Sequence, residues 1–201
     1  MRIGLDFDNT LVRYDDLFHR TAMESGLIPP DVPSEKTAIR DWLREVGQEE
    51  EWILLQGEIY GSRIAEAPPF EGILDFVRAC SETNCCAFIV SHKTRHPNLG
   101  PPVNLHRAAR DWLASHGFFQ AGIDPSNVHF ETTRADKIER INSLSLAHFI
   151  DDLPEFLLEP TFPSDTQRIL FDPGGRHPEH VAYCRAESWK DIQSTVFGGC
   201  P

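Results

Sequence analysis

The sequence lacks a long apolar stretch. In 201 residues no run approaches the roughly 20 consecutive apolar residues that a membrane helix needs. The N-terminus passes directly into Ile3, Gly4 and Leu5, without the basic segment and apolar core of a targeting signal. A cytoplasmic protein with no membrane partner is the expectation. Positive charge is also scarce: 19 Lys and Arg stand against 31 Asp and Glu, a formal net charge of -12. That balance argues against nucleic acid as an extended partner, because such binding draws its affinity from Lys and Arg displacing counterions. Cysteine is sparse and unpaired in pattern. The five, at 80, 85, 86, 184 and 200, are an odd set without C-x-x-C spacing, so they read as reduced thiols that mostly pack, with Cys200 exposed near the end. Neither a repeat nor a low-complexity segment is present.

What is present is 40% hydrophobic residues, enough for one full core and a small accessory domain. Residues 2–7 form a short apolar run closed by acids and Asn9, which reads as a buried strand ending in a polar loop. Similar runs follow at 86–90, 128–130, 147–150 and 168–171. Between them lie segments of helical spacing, with Ile73, Leu74, Phe76 and Val77 in one, and Leu105, Ala108, Ala109, Trp112 and Leu113 in another. Gly117 is placed to end the latter. Strands alternating with helices predict an α/β fold: a Rossmann-like parallel sheet with helices on both faces, binding its ligand beyond the carboxyl ends of the strands.

Residues 13–68 are too many for one crossover and carry helical patterns of their own, over 15–26, 34–46 and 49–65. They predict a small inserted helical cap, with Ser34 as a helix N-cap and Asp15 and Asp16 at the start of the first helix. Residues 1–12 and 69–201 would then form the core domain.

At the end of the first strand stand Asp6 and Asp8, whose spacing turns both carboxylates to one side while Phe7 packs inward. A D-x-D pair alone is a weak signal. It gains weight from Ser91 after the second strand, Lys137 at a helix start after the third, and Asp151 and Asp152 after the fourth. A carboxylate attacking a phosphoryl group needs its charge repulsion cancelled by a divalent cation and by donors to the phosphoryl oxygens. Asp6, the backbone carbonyl of Asp8, and Asp151, with Asp152 beside it, suit Mg2+, while Ser91 and Lys137 suit the phosphate. Asp8 suits the general acid and base.

This ordered set resembles the haloacid dehalogenase-like superfamily, whose four motifs are matched by Asp6/Asp8/Thr10, Ser91, Lys137 and Asp151/Asp152 over residues 3 to about 157. The resemblance implies Asp6 as nucleophile, Asp8 as acid and base, and Ser91 and Lys137 as ligands of the transferring phosphoryl group, with Thr10 completing the first motif. It also implies a Mg2+-dependent phosphatase, since relatives that dehalogenate lack the second Asp, and it makes the helical insert look like a cap of the first type. The expected substrate is a small phosphorylated metabolite, a sugar phosphate or similar. A nucleotide phosphatase, a phosphotransferase or mutase, and a non-catalytic binding protein on the same fold are the alternatives; the oligomeric state is left open. The loop over 92–103 is longer and more basic than the family's usual turn, and His92 and Lys93 are its candidates for substrate binding. His129 and His148 read as packed, neutral histidines; Trp42, Trp52, Phe118 and Phe119 as packing; and Arg134 as an exposed helix start.

Overall fold

The computed structural model describes residues 1–198. In chain order the elements are β1 (Arg2–Leu5), α1 (Asp15–Glu24), α2 (Lys36–Glu45), α3 (Glu49–Tyr60), α4 (Ile73–Glu82), β2 (Cys86–His92), α5 (Leu105–Ser115), α6 (Phe118–Ala121), β3 (Val128–Glu131), α7 (Arg134–Ser143), β4 (His148–Asp151), α8 (Pro154–Leu157), β5 (Gln167–Phe171), β6 (Cys184–Ala186) and α9 (Trp189–Gly198). They divide into two compact units.

The first unit holds Met1–Leu11, Pro69–Lys93 and the residues from His116 onward. Its six strands form one parallel sheet in the order β3-β2-β1-β4-β5-β6. The chain builds outward from β1 to β3, then returns to the other side of β1 with β4. The strand order therefore reverses between β1 and β4, the place where such sheets open a crevice beyond their carboxyl ends. Central strands buried on both faces must be apolar throughout, and Ile3, Leu5, Phe149 and Ile150 are fully buried. One face carries Phe88, Val90, Phe149 and Leu170, covered by Ile141 of α7 and by Phe156 and Leu157 of α8. On the other, Trp189 of α9 lies against Phe171 and against Phe76 of α4, with ring centres 5.5 and 5.2 Å apart. Gly4 is required for close packing here: a Cβ would stand 2.4 Å from Leu146 Cδ1 and 2.5 Å from Phe149 Cδ2.

The second unit comprises Val12–Pro68 and Thr94–Ser115. Its core is aromatic: Phe18 packs on Trp52 and Tyr60, and Tyr14 meets Tyr60 edge-on with ring centres 5.0 Å apart. The α5 segment groups with this unit as well. Buried Trp112 of α5 donates its indole N–H to the Ala67 carbonyl at 2.8 Å, and Gly57 of α3 lets the chain at Pro97 approach so closely that a Cβ would come within 2.9 Å.

Several local expectations are corrected. Glu35, not Ser34, precedes α2, and no side chain caps it at that position. Instead Asp15 accepts the Lys36 N–H at 3.0 Å, so an acid assigned to the start of α1 satisfies an orphan donor of α2. The helix of 49–65 stops at Tyr60 and resumes as a single tight turn over Ile64–Glu66. The strand β6 was not anticipated, being only three residues at the sheet edge. Cys80, Cys85 and Cys86 are free thiols; the expectation for Cys200 lies outside the described residues. No helix among the described residues is long and apolar enough to cross a membrane.

Candidate active site

The site is built in the first unit from the residues that follow β1, β2 and β4 and from α7. Asp6 leaves β1 with its N–H still bonded to the Ile150 carbonyl at 2.8 Å, so its position continues the register of the central strands. Phe7 turns into the core and meets Phe130 edge-on with ring centres 5.6 Å apart. A tight turn follows, closed by the Leu11 N–H on the Phe7 carbonyl and made possible by Asn9 at φ 56°, a left-handed conformation that asparagine tolerates. The turn puts Asp8 beside Asp6 and buries Thr10 completely, its hydroxyl without a hydrogen-bond partner.

Lys137 is the centre of the cluster. Thr133 caps α7 by accepting the Asp136 N–H at 3.1 Å, and Lys137 stands one turn in. Its side chain is 4% exposed, and Nζ donates to Asp6 Oδ1 and to Asp151 Oδ2, both at 2.6 Å. The Phe156 and Phe149 rings lie 4.0 and 5.2 Å from the ammonium. Asp151 is fully buried, and its other oxygen accepts the Leu153 N–H at 2.9 Å. Asp152 is half-buried, and one oxygen from each of Asp6, Asp151 and Asp152 lies within 4.8 Å of the others. All three are hard oxygen donors, the kind Mg2+ prefers, so the residues fit the expected ion.

The electrostatics point the same way. Burial pushes Asp6 up to about 7; the Lys137 ammonium opposes that rise, and the adjacent Asp151 adds to it. On Lys137 burial opposes the charged form, but the two carboxylates outweigh it and hold the amine above its ordinary range. Asp6 and Asp151 pair with the ammonium of Lys137, and Asp8 with that of Lys93. A divalent cation would offset the negative charge gathered among these acids, and uncompensated buried charge is costly.

Ser91 is buried near the end of β2, opposite Phe130 of β3. The strand runs two residues past its expected end at Val90, so Ser91 and Lys93 share one side and His92 takes the other, exposed, with Nε2 3.1 Å from the Thr132 carbonyl oxygen. Lys93, expected in a basic loop, is buried and paired with Asp8. The sequence reading missed that pair because it ended the strand early; a two-residue alternation carried past Ser91 is the signal that finds it. Phe149 and Phe156 were missed as walls of the Lys137 site. Arg134 is exposed at the start of α7, and His148 is packed in β4, where burial holds it below the usual imidazole range. A depression of about 1260 Å³ lies elsewhere in the unit, lined by Gln167, Arg168, Cys184 and Arg185 near the starts of β5 and β6, whereas the acids stand at the opposite strand ends.

Comparison with known proteins agrees with this geometry at the level of fold. No family model and no curated protein matches the sequence. Among solved structures, a haloacid dehalogenase (HAD) family hydrolase of Deinococcus radiodurans, solved with bound phosphate and sodium, is similar at a TM-score of 0.61 and 11% identity, covering 98% of this chain and 95% of that one. A Haemophilus somnus protein described as a predicted phosphoglycolate phosphatase gives 0.60 at 12% identity, covering 96% of each. The Bacillus subtilis HAD-hydrolase YfnB, solved with magnesium, gives 0.53 at 13% identity, covering 97% of each. The protein is an α/β protein with a Rossmann-like parallel sheet. It has the fold of the haloacid dehalogenase-like hydrolases.

Proposed function

We propose that the protein is a Mg2+-dependent phosphomonoester hydrolase acting on a small phosphorylated metabolite. The observation that carries this reading is the buried Asp6–Lys137–Asp151 cluster with Asp152 and Asp8 beside it, an acid-rich site at the strand ends. Phosphate and magnesium are bound in two similar structures, and a third carries a phosphatase description. The second unit, with residues 13–68, would serve as the cap that selects the substrate.

Asp6, Asp151, Asp152 and the Asp8 backbone would hold the ion, which when bound supplies positive charge against the anionic phosphoryl group and favours the ionised form of Asp6. An Asp6 oxygen attacks phosphorus as the ester P–O bond breaks, and Asp8 gives its proton to the departing alkoxide. Asp8 then takes a proton from a water whose oxygen bonds to phosphorus, breaking the acyl-phosphate bond, releasing inorganic phosphate and restoring Asp6. Lys137, its ammonium against the Phe149 and Phe156 rings, keeps Asp6 oriented and, with Ser91 and Thr10, offers donors to the phosphoryl oxygens. His92, exposed at the end of β2, would meet the leaving portion of a substrate that extends past the strand end. A panel of sugar phosphates, nucleotides and other small phosphate esters, assayed for phosphate release with Mg2+, tests the reading. Turnover is expected on at least one class and is expected to vanish in Asp6→Asn; undiminished turnover in that variant would remove the mechanism.

A further inference from the structure

Lysine is almost never buried unless paired, and Lys93 is 4% exposed. Its ammonium stands 2.8 Å from Asp8 Oδ2 and 3.0 Å from Oδ1, and 5.3 Å from the centre of the Phe7 ring. Its backbone is pinned as well: the Lys93 N–H donates to the Glu131 carbonyl at 2.8 Å, extending the β2–β3 ladder by one residue. A fixed main chain, a buried stem and an aromatic neighbour leave the ammonium few alternative positions. Its partner is less enclosed: the Asp8 side chain is 22% exposed against 3% for that of Lys93. Yet an acid that must first give and then take a proton needs one constant position relative to the reacting phosphorus.

We propose that Lys93 is a positioning residue, which holds the Asp8 carboxylate in the orientation from which it exchanges protons with the leaving alkoxide and with water. The inference rests on the phosphomonoesterase reading above. One Asp8 oxygen stays against the ammonium while the other carries the proton to the alkoxide as the ester bond breaks, and later receives the proton of the attacking water. Lys93 acts through Asp8, whose two oxygens both lie within hydrogen-bond distance of its ammonium.

A leaving group that needs no proton separates the two roles. In the Mg2+-loaded protein, kcat/KM of wild type and Lys93→Met is compared on p-nitrophenyl phosphate and on a primary alkyl phosphate such as glycerol phosphate. The expected loss is about 100-fold on the alkyl ester and less than about 10-fold on the nitrophenyl ester, because general acid catalysis of this kind is worth about 10²–10⁴. Adding Lys93→Met to Asp8→Asn is expected to change nothing further, since the two residues act as one unit. The double variant removes both charges together and so keeps the comparison available if the single change unseats the acid. Equal losses on the two esters, or a further loss in the Asp8→Asn background, would overturn the proposal while leaving the hydrolase intact. Absence of turnover by wild type on both esters and on the wider panel would instead overturn the underlying reading, and this inference with it.

Discussion

Replacing Asp6 by asparagine is expected to stabilise the metal-free protein at the same time as it ends turnover. Burial raises Asp6 from its ordinary 3.8 to about 7, Asp151 adding to the rise and Lys137 opposing it. The folded chain therefore keeps a proton that the unfolded chain has released between about pH 4 and pH 7, and stability falls as pH rises through that window. Each pH unit of the displacement is worth about 1.4 kcal/mol, so charging Asp6 in the folded chain costs of the order of 4 kcal/mol at about pH 8. Asparagine has nearly the same shape, carries no charge and still accepts from Lys137. Urea unfolding in a chelator is expected to show Asp6→Asn more stable than wild type by roughly 2–4 kcal/mol at about pH 8, and by half of that or less at about pH 5. Added Mg2+ is expected to stabilise wild type more than the variant, because the variant has lost a ligand. A variant less stable than wild type at the higher pH, or a difference that does not change with pH, would refute the account of Asp6 as an acid whose ionised form is disfavoured by burial and by Asp151.

Lys137→Met leaves Asp6 and Asp151 buried without their shared cation and is expected to cost about 3–5 kcal/mol in the same urea measurement without metal. Gly4→Ala forces a methyl into the packing of Leu146 and Phe149 and is expected to lower stability by about 1–3 kcal/mol, read as a lower thermal midpoint. Asp172, at the end of β5, is held below the usual carboxylate range: burial alone would raise it, but the His177 and Arg176 N–H groups, with Arg185, outweigh that. Its contribution is present above the unfolded value and is lost as pH falls through the lower folded one. Asp172→Asn is therefore expected to weaken the protein by about 1–3 kcal/mol at neutral pH and to flatten its acid unfolding below about pH 4, followed by circular dichroism.

Much of this molecule was legible in the residues because its strongest signals are local. Short apolar runs that end in acids mark strands buried on both faces, and the runs at 86–90, 128–130, 147–150 and 168–171 all became strands of the sheet, each within a residue or two of its expected start. Helical spacing in 73–77 and 105–113 was equally plain, since a helix face repeats within a few residues. Where the signal was weak, so was the reading. The three residues of β6 hold too little pattern to stand out, and a strand at the sheet edge is defined by its neighbour, β5, more than by itself. The start of α2 misled for a related reason: Ser34 has the right chemistry for a cap, but Asp15, 21 residues before the Lys36 N–H it accepts, does the work.

The sequence by itself determined the alternation of elements, and hence the class of fold, and it put an acid, a hydroxyl or an amine at the end of successive strands. Which of them meet was decided only by the tertiary structure. Lys137 is 131 residues from Asp6, and Lys93 is 85 from Asp8, yet their charges lie within hydrogen-bond distance of those acids. The physical reason is that strand order and register, which depend on packing over the whole sheet, bring the ends of β1, β2 and β4 side by side. A linear pattern can say that each side chain stands at an edge, but not which edge adjoins it.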